Sequence, residues 1–174
     1  MVLQQSVVSE GTFELMKSLM SEEKLKDFFL VGGTNLALRL GHRKSIDIDM
    51  FTRNDIDVPD LQRYLYEKYR FKESFRAKNT LKGEINEIKI DLIKYDYNFL
   101  KPIEEVNNIR LSSIEDIIAM KLSAITDSGT RVKDFTDISF LSTKFSLNQM
   151  LDFYNCIPYI IYKKERIARR ICRN

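Results

Sequence analysis

The spacing of apolar residues near the start of the chain predicts a helix, a short strand and a second helix. Apolar side chains recur every three or four residues between Ser9 and about Leu25, which is typical of an amphipathic helix with Ser9 as its N-cap. The apolar run FFLV at 28–31 indicates a buried strand. After Thr34 the residues NLALRL return to the helical pattern, and Gly41 is suited to end that helix in the left-handed conformation.

A strictly alternating pattern follows at 45–51, where the residues read SIDIDMF. Alternation places successive side chains on opposite faces of a strand. The apolar residues, beginning with Ile46, are therefore expected to pack on the core, while Asp47 and Asp49 lie together on the other face. The pattern thus predicts a strand with two carboxylates on one side.

The middle of the chain predicts another helix and two more strands. A helical pattern covers 59–69, and strand patterns follow at 71–78 and 84–95. Gly83 lies between these two strands, where it is expected to form the turn of a hairpin. After Pro102 the chain is expected to be helical to its end. Ser112 and Ser113 precede Glu115 and Asp116, which predicts a capped helix start there.

Together these elements predict an α+β fold, in which a small mixed sheet is flanked by helices and followed by a helical C-terminal half. Residues 1–100 are expected to form the sheet-containing core with its N-terminal helix. Residues 101–174 are expected to form a helical lobe that packs with the core as one unit. A chain of 174 residues with 44% hydrophobic and 30% charged residues is ordinary for a globular protein.

The lack of targeting signals and the small number of cysteines predict a cytoplasmic protein. No apolar run approaches the length of a membrane helix, and the N-terminus lacks the charged start and apolar core of a signal peptide. The two cysteines, Cys156 and Cys172, do not have the spacing of metal ligands and are expected to be free thiols. We therefore expect a cytoplasmic protein that does not bind a membrane.

The net charge of +3 comes from the C-terminal end. Residues 163–174, KKERIARRICRN, contain six basic residues and one acidic residue, whereas the rest of the chain has 22 basic and 24 acidic residues. A basic terminal helix is able to attract a polyanion such as RNA. A solvated helix face is the alternative interpretation of the same charges.

The paired aspartates are candidate metal ligands. Successive side chains on one face of a strand lie roughly 6.5–7 Å apart, so that one divalent cation, or two close together, would bridge Asp47 and Asp49. Carboxylate oxygens suit Mg²⁺, which binds through a few carboxylates together with substrate phosphates. A strand with a polar, solvated face is the alternative.

A later strand pattern, EINEIKIDLIKY, repeats this arrangement with Asp91 on its polar face. If the two strands lie side by side, Asp91 becomes a third carboxylate at the same site. Three carboxylates held together favour a bound cation, because their repulsion otherwise costs stability.

The stretch VGGTNLAL places two glycines and a hydroxyl residue between a strand and a helix. Glycine allows the backbone to approach a ligand closely, and the N–H groups at a helix N-terminus suit phosphate. Thr34 would add a hydroxyl contact. The GGT sequence alone is a weak motif, but it becomes specific when a DxD strand and a later strand aspartate follow it.

In this order, GGTNLAL, GHRKSIDIDMF and IKIDLI resemble the catalytic core of the polymerase-β-like nucleotidyltransferases, and more narrowly the AbiEii/AbiGii abortive-infection toxin branch. The resemblance implies an enzyme that uses an NTP together with Mg²⁺ or Mn²⁺. It assigns nucleotide binding to Gly32, Gly33 and Thr34, and metal binding and catalysis to Asp47, Asp49 and Asp91.

The helical half contains further candidates. Lys121 falls inside an isoleucine-rich stripe, a costly position unless the side chain reaches solvent or meets an anion such as a triphosphate. The segments AMKLSAI and RVKDFTDISFL resemble a second signature of the same branch, a lysine helix followed by a K-D-x-x-D helix. The resemblance implies catalysis by Lys121 and Asp134, and nucleotide binding by Lys121, Lys133 and Asp137. An exposed, salt-bridged helix is the alternative for the second segment.

The function implied by the resemblance is transfer of NMP to an acceptor hydroxyl on RNA, at the 3′ end of tRNA, by the toxin of a type IV-like toxin–antitoxin or abortive-infection system. An antitoxin encoded nearby is the expected protein partner. Transfer to a small molecule or a protein hydroxyl stays open, and so does a non-catalytic nucleotide-binding module. The presence of all three aspartates argues against the last alternative.

Overall fold

The computed structural model describes residues 2–156, which form two compact units. The first unit contains the residues up to Asp96 together with Ile103–Ser112. The second unit contains Tyr97–Pro102 and the residues from Ser113 onward. The chain therefore passes from the first unit to the second, returns for one short segment, and then continues in the second.

Some sequence-based expectations concern residues outside the described range. These are the basic segment 163–174 and the thiol of Cys172. Cys156, at the end of the described range, is exposed and forms no disulfide. Among the helices of the described residues, none is long and apolar enough to span a membrane.

The first unit combines three α-helices and two 3₁₀ helices (Gln5–Val7 and Glu23–Leu25) with all the strands of the described residues. Its α-helices are α1 (Glu10–Met20), α2 (Gly32–Leu40) and α3 (Val58–Tyr69). Its strands are β1 (Phe29–Leu30), β2 (Ile48–Thr52), β3 (Lys72–Ala77), β4 (Thr80–Ile85), β5 (Ile88–Lys94), β6 (Glu104–Val106) and β7 (Ile109–Leu111). The second unit contains α4 (Ile114–Asp127), α5 (Val132–Leu141) and α6 (Leu147–Asn155).

The strands form one mixed sheet in the order β3-β4-β5-β2-β1-β7-β6. β2 runs antiparallel to β1 and parallel to β5, and β1 runs parallel to β7. β3, β4 and β5 are joined as antiparallel neighbours. The predicted α+β class with a mixed sheet, flanking helices and a helical C-terminal part is confirmed.

The core of the first unit lies on one face of this sheet. Along β2 and β5, fully buried residues such as Ile48 and Ile90 alternate with more exposed ones. The buried side chains join those of α1 and α3 in one hydrophobic cluster. Because side chains alternate along a strand, Asp49 and Asp91 lie on the opposite side, which we call the carboxylate face.

Three of the predicted helix boundaries are confirmed by their capping contacts. The Ser9 side chain accepts a hydrogen bond from the Thr12 N–H at 3.0 Å, and the Ser113 side chain accepts one from the Asp116 N–H at 3.0 Å. Gly41 ends α2 with a φ of 68°, in the left-handed region that glycine adopts readily. These caps are local, so the sequence signals for them were sufficient.

The expected turn at Gly83 is wrong. Gly83 lies inside β4, and the chain reverses instead near Asn79 and Asn86, which have φ values of 58° and 50°. A Cβ at Gly83 would lie 2.2 Å from the Lys72 carbonyl oxygen and 2.4 Å from the Phe71 ring. Glycine is therefore needed at this position for close packing rather than for a turn.

Two further expectations are wrong. The chain after Pro102 first forms the β6–β7 hairpin before it becomes helical, and strands of three residues are too short to show a clear alternation. Ile46 does not pack on the core, since 63% of its surface is exposed. The reason is that β2 begins only at Ile48, so that the alternation of faces does not extend back to Ile46.

Candidate active site

Asp49 and Asp91 are direct neighbours on the carboxylate face. In the parallel pairing of β2 with β5, Asp49 lies opposite Asp91. Neighbouring strands are about 4.8 Å apart, which brings the two carboxylates within reach of one ligand. Both side chains are partly exposed, so solvent and ligands have access to them. The two strands thus lie side by side, which was the condition for Asp91 to join the aspartates of the first strand pattern.

The glycine turn before α2 lies against Asp49. Gly32 has a φ of +69°, and a Cβ at this position would lie 2.7 Å from Asp49 Oδ2. The Val31 N–H donates a hydrogen bond to the Asp49 carbonyl at 2.9 Å and holds the turn on β2. The N-terminus of α2, the positive end of the helix dipole, therefore lies close to Asp49.

Thr34 is buried and bonds to groups of the protein. Its hydroxyl donates to the Asp47 carbonyl and shares a 2.8 Å hydrogen bond with the Ser45 hydroxyl. These bonds attach the chain just before β2 to the first turn of α2. The structure thus supports a positioning role for Thr34, through which the half-buried Asp47 is held next to the glycine turn. A contact between the Thr34 hydroxyl and a nucleotide stays a prediction.

The chemistry of these residues fits a divalent cation. The three aspartates supply hard oxygen donors, and the absence of a Cβ at Gly32 leaves room beside Asp49. In the described conformation, however, no three acidic, histidine or cysteine side chains of residues 2–156 are grouped closely enough to hold a metal ion. Asp47, Asp49 and Asp91 as metal ligands therefore stay a prediction that requires side-chain movement.

Lys82 occupies a place at this site that sequence analysis missed. It lies directly opposite Asp91 in the β4–β5 pairing, and its Nζ donates to Asp91 Oδ2. The three strands therefore carry Asp49, Asp91 and Lys82 side by side on the carboxylate face. The alternation in TLKGEI at 80–85 contained the signal, but placing Gly83 in a turn concealed it.

In the second unit, Lys121 forms a buried ion triad with Asp134 and Asp137. Its Nζ lies 2.8 Å from Asp134 Oδ1 and 2.6 Å from Asp137 Oδ2. The side chains of Lys121, Asp134 and Asp137 are 7%, 6% and 0% exposed. The anion that this buried lysine meets is therefore a pair of protein carboxylates, one turn apart on α5.

Two basic residues, Arg131 and Lys133, lie at the N-terminal end of α5. Lys133 is exposed, and Arg131 Nε lies 3.9 Å from Asp134 Oδ2 with the arginine side chain 69% exposed. Arg131 therefore adds a second positive charge near Asp134. The structure thus brings together Lys121, Asp134 and Asp137. Their roles in catalysis and nucleotide binding, and that of Lys133, stay predictions.

Asp116 is a further buried carboxylate of the second unit. It accepts hydrogen bonds from the Ser113 hydroxyl at 2.6 Å and from the Leu100 N–H at 2.7 Å. Burial raises the pKa of Asp116 above its ordinary value, and these hydrogen bonds oppose the rise only in part. The contacts attach the segment Tyr97–Pro102 to the start of α4, which indicates a structural role.

Comparison with known families gives a match over most of the chain. The family model described as "Nucleotidyl transferase AbiEii toxin, Type IV TA system" matches residues 14–101 and 66–166. An uncharacterised protein of Aquifex aeolicus (strain VF5) is 34% identical over 135 residues, which cover 75% of this chain and 65% of that protein. The chain thus spans just under two thirds of the length of this relative.

Solved structures share the fold at low identity. A solution structure of the antibiotic-resistance factor ANT(2″)-Ia has a TM-score of 0.68 at 12% identity and covers 95% of this chain and 100% of its own. JHP933 from Helicobacter pylori has a TM-score of 0.54 at 19% identity and covers 84% and 72%. The polyadenylate synthase of Megavirus has a TM-score of 0.53 at 15% identity and covers 75% and 31%.

Proposed function

Because this chain belongs to the AbiEii nucleotidyltransferase family, we propose that it transfers NMP from an NTP to an acceptor hydroxyl at the carboxylate face of the first unit. The observation that carries the proposal is the cross-strand pair of Asp49 and Asp91 with the Gly32 turn against Asp49. The carboxylate oxygens suit a divalent cation and the neighbouring helix end suits an anion, which supports the proposal.

The first step is binding of the nucleotide. We assign the triphosphate to the backbone of Gly32 and Gly33 at the N-terminus of α2, where the helix dipole and the N–H groups favour anions. Thr34 holds this turn in place through its bonds to the segment before β2. A side chain at Gly32 would fill the space beside the Asp49 carboxylate, so the close approach requires glycine.

The second step is attack on the α-phosphorus. The oxygen of the acceptor hydroxyl forms a new bond to the α-phosphorus, the bond from the α-phosphorus to the bridging oxygen breaks, and pyrophosphate leaves. Asp47, Asp49 and Asp91 would hold Mg²⁺ or Mn²⁺, which would lower the pKa of the hydroxyl and neutralise charge on the phosphates. Asp91, farther than Asp49 from the helix end, is our candidate to accept the hydroxyl proton.

We further propose roles for the second unit that rest on its family signature alone. Lys121 and Asp134 are assigned to catalysis, and Lys121, Lys133 and Asp137 to nucleotide binding. The buried triad supports these assignments only indirectly, because an ammonium held by two carboxylates is fixed in orientation. Unchanged transfer by the Lys133→Met variant would contradict the assignment of Lys133 to nucleotide binding.

For the acceptor, we propose RNA, with the 3′ end of tRNA as the first candidate and an antitoxin as the protein partner. The description of the matching family as a toxin of a type IV toxin–antitoxin system supports the antitoxin partner, whereas the RNA acceptor rests on the resemblance of the sequence signatures alone. Cytoplasmic location would follow from an RNA acceptor in the cell.

The test is a labelling reaction with each of the four α-labelled NTPs, Mg²⁺ and total bacterial RNA. We expect label in tRNA-sized RNA, and a loss of more than about a hundredfold with Asp49→Asn, because a cation ligand is removed without a change in size. Asp152→Asn, an exposed aspartate of α6, is the matched control and should label RNA like the unchanged protein.

The outcomes separate the alternatives. Label that moves to a small molecule or to protein instead of RNA would correct the acceptor but keep the transferase. Asp49-dependent NTP binding without any transfer would favour a non-catalytic nucleotide-binding module. A protein that neither binds NTP nor transfers label would contradict the proposed function.

A further inference from the structure

The Asp91 carboxylate forms an ion pair with the side chain of a lysine, Lys82. Lys82 lies opposite Asp91 in the β4–β5 register, and Asp91 in turn lies opposite Asp49. The Lys82 ammonium donates to Asp91 Oδ2, one of the oxygens that a divalent cation would use. The lysine and the predicted metal therefore require the same carboxylate.

We propose that Lys82 is an internal counter-ion that competes with the divalent cation for Asp91. The inference rests on the proposed function, since it concerns the same carboxylate site. With Lys82 in place, its ammonium compensates the negative charge of Asp91 before any metal binds, which lessens the repulsion between Asp49 and Asp91. A cation that takes Asp91 has to displace the ammonium, so Lys82 sets how much metal the protein requires.

The ion pair has the properties of one that exchanges. The side chain of Lys82 is 36% exposed and that of Asp91 is 28% exposed, and ion pairs with this access to solvent are weak. Lysine has a flexible stem and a strongly hydrated head, so its ammonium moves to water at little cost.

The surrounding surface gives the ammonium room to move. Lys82 and Asp91 line one groove of about 410 Å³, together with Glu84 and Lys89. Glu84 lies two residues along β4 on the same face as Lys82 and is already paired with Lys72 at 3.3 Å, so the displaced ammonium moves into the solvent of the groove. Departure of Lys82 from Asp91 therefore does not require a change in the backbone.

Lys89 provides a matched control. It lies on the carboxylate face of β5, two residues from Asp91, and lines the same groove. In the β4–β5 register it is opposite Glu84, whereas Lys82 is opposite Asp91. Removing Lys89 therefore changes the charge near the site by the same amount without removing the partner of Asp91.

The experiment measures binding of Mn²⁺ to the full chain, without nucleotide or RNA, by the electron paramagnetic resonance signal of free Mn²⁺. The proteins are the unchanged chain and the variants Lys82→Met, Lys82→Arg, Lys89→Met and Asp49→Asn. We expect Lys82→Met to bind Mn²⁺ about three- to tenfold more tightly. The reason is that the Lys82–Asp91 ion pair stabilises only the metal-free protein, so its removal takes away a competitor of Mn²⁺. Lys82→Arg and Lys89→Met should stay within about twofold of the unchanged chain.

The variants also separate failure of this inference from failure of the proposed function. If Asp49→Asn weakens Mn²⁺ binding but Lys82→Met binds like Lys89→Met, the cation site stands and competition by Lys82 is wrong. If Asp49→Asn leaves binding unchanged, or if no protein binds Mn²⁺, the predicted cation site is wrong and the inference with it. A melting curve for each variant shows that the compared proteins are folded.

Discussion

Two groups of lysine and aspartate in this molecule use the same chemistry in opposite environments. In the first unit, Lys82 pairs with Asp91 where 36% and 28% of the side chains are exposed. In the second unit, Lys121 bridges two aspartates, and its side chain is 7% exposed. One group is open to solvent and ligands, and the other is enclosed by the protein.

The difference shows how burial sets the consequence of removing one member of a charged pair. An exposed ion pair contributes little to stability and exchanges readily, so its carboxylate stays available for a ligand. A buried pair contributes little in net terms as well, but removing one partner leaves an uncompensated charge in the interior. We therefore expect the loss of Lys82 to alter cation binding at little cost in stability. The loss of Lys121 should lower stability, in addition to its effect on the proposed transfer reaction.

The largest expected effect is the loss of stability in Lys121→Met. This change leaves Asp134 and Asp137 buried without their ammonium, and we expect the free energy of unfolding to fall by about 3–5 kcal/mol. The same change at Lys82 should cost less than about 1 kcal/mol. Urea unfolding followed by circular dichroism measures both. Equal losses of unfolding free energy in the two variants would contradict the distinction between a buried triad and an exposed, exchangeable ion pair.

A smaller effect is expected from Gly32→Ala in the exposed site. The new Cβ would lie 2.7 Å from Asp49 Oδ2, and the residue would have to keep a φ of +69°. The left-handed conformation costs roughly 1–2 kcal/mol outside glycine, and displacement of the carboxylate should reduce nucleotidyl transfer about tenfold or more. The labelling reaction measures the transfer, and urea unfolding measures the stability.

Gly11→Ala is the control for this substitution. Gly11 lies in the first turn of α1, where the atom nearest to an added Cβ is the Ser9 hydroxyl at 4.0 Å. Alanine favours a helix more than glycine does, so this variant should be as stable as the unchanged protein or slightly more stable. If Gly32→Ala behaves like Gly11→Ala in both measurements, the close approach of Gly32 to the Asp49 carboxylate affects neither transfer nor stability.

The smallest effects are expected from pH, and they have opposite signs in the two units. Burial tends to raise the pKa of Glu22 in the first unit, but hydrogen bonds from Lys68, Tyr64 and Tyr69 outweigh it and hold the pKa below its ordinary value of 4.5. Its contribution to stability is therefore present above pH 4.5 and is lost as the pH falls through the lower, folded-state pKa.

Asp116 in the second unit has a raised pKa, so the folded protein binds its proton more tightly than the unfolded chain does. Its effect on stability becomes less favourable as the pH rises from its ordinary value of 3.8 through the folded-state pKa. Unfolding free energies between about pH 3 and 6 test both expectations. The advantage of the unchanged protein over Glu22→Gln should shrink as the pH falls, and its advantage over Asp116→Asn should shrink as the pH rises.

Short-range features of the fold were predictable from sequence. The caps at Ser9, Gly41 and Ser113 depend on hydrogen bonds or φ angles within a few residues, and the expected helices begin or end at them. The glycine turn, Asp47 just before β2 and Asp49 within β2 were likewise visible as a local pattern. Family resemblance then joined these segments in the order that the family model matches.

Contacts between distant segments are not predictable where one residue type serves two purposes, as glycine does in turns and at positions of close packing. The local pattern favours a turn at Gly83, because glycine is common in turns. In the structure, the constraint on Gly83 is the Phe71 ring and the Lys72 carbonyl packed against it. That contact joins neighbouring strands and leaves no trace in the local pattern. As a result, β4 and its lysine were not recognised as part of the carboxylate face.

By itself, the sequence determined the family, the α+β class and the segments that carry the candidate chemistry. Only the tertiary structure decided which charges meet: Asp91 with Asp49 and Lys82, and Lys121 with two aspartates of α5 rather than with solvent. The physical reason is that strand register and helix packing are set by contacts between distant segments. A shift of one residue in register would move Lys82 to the other face of its strand, whereas the sequence pattern would stay the same.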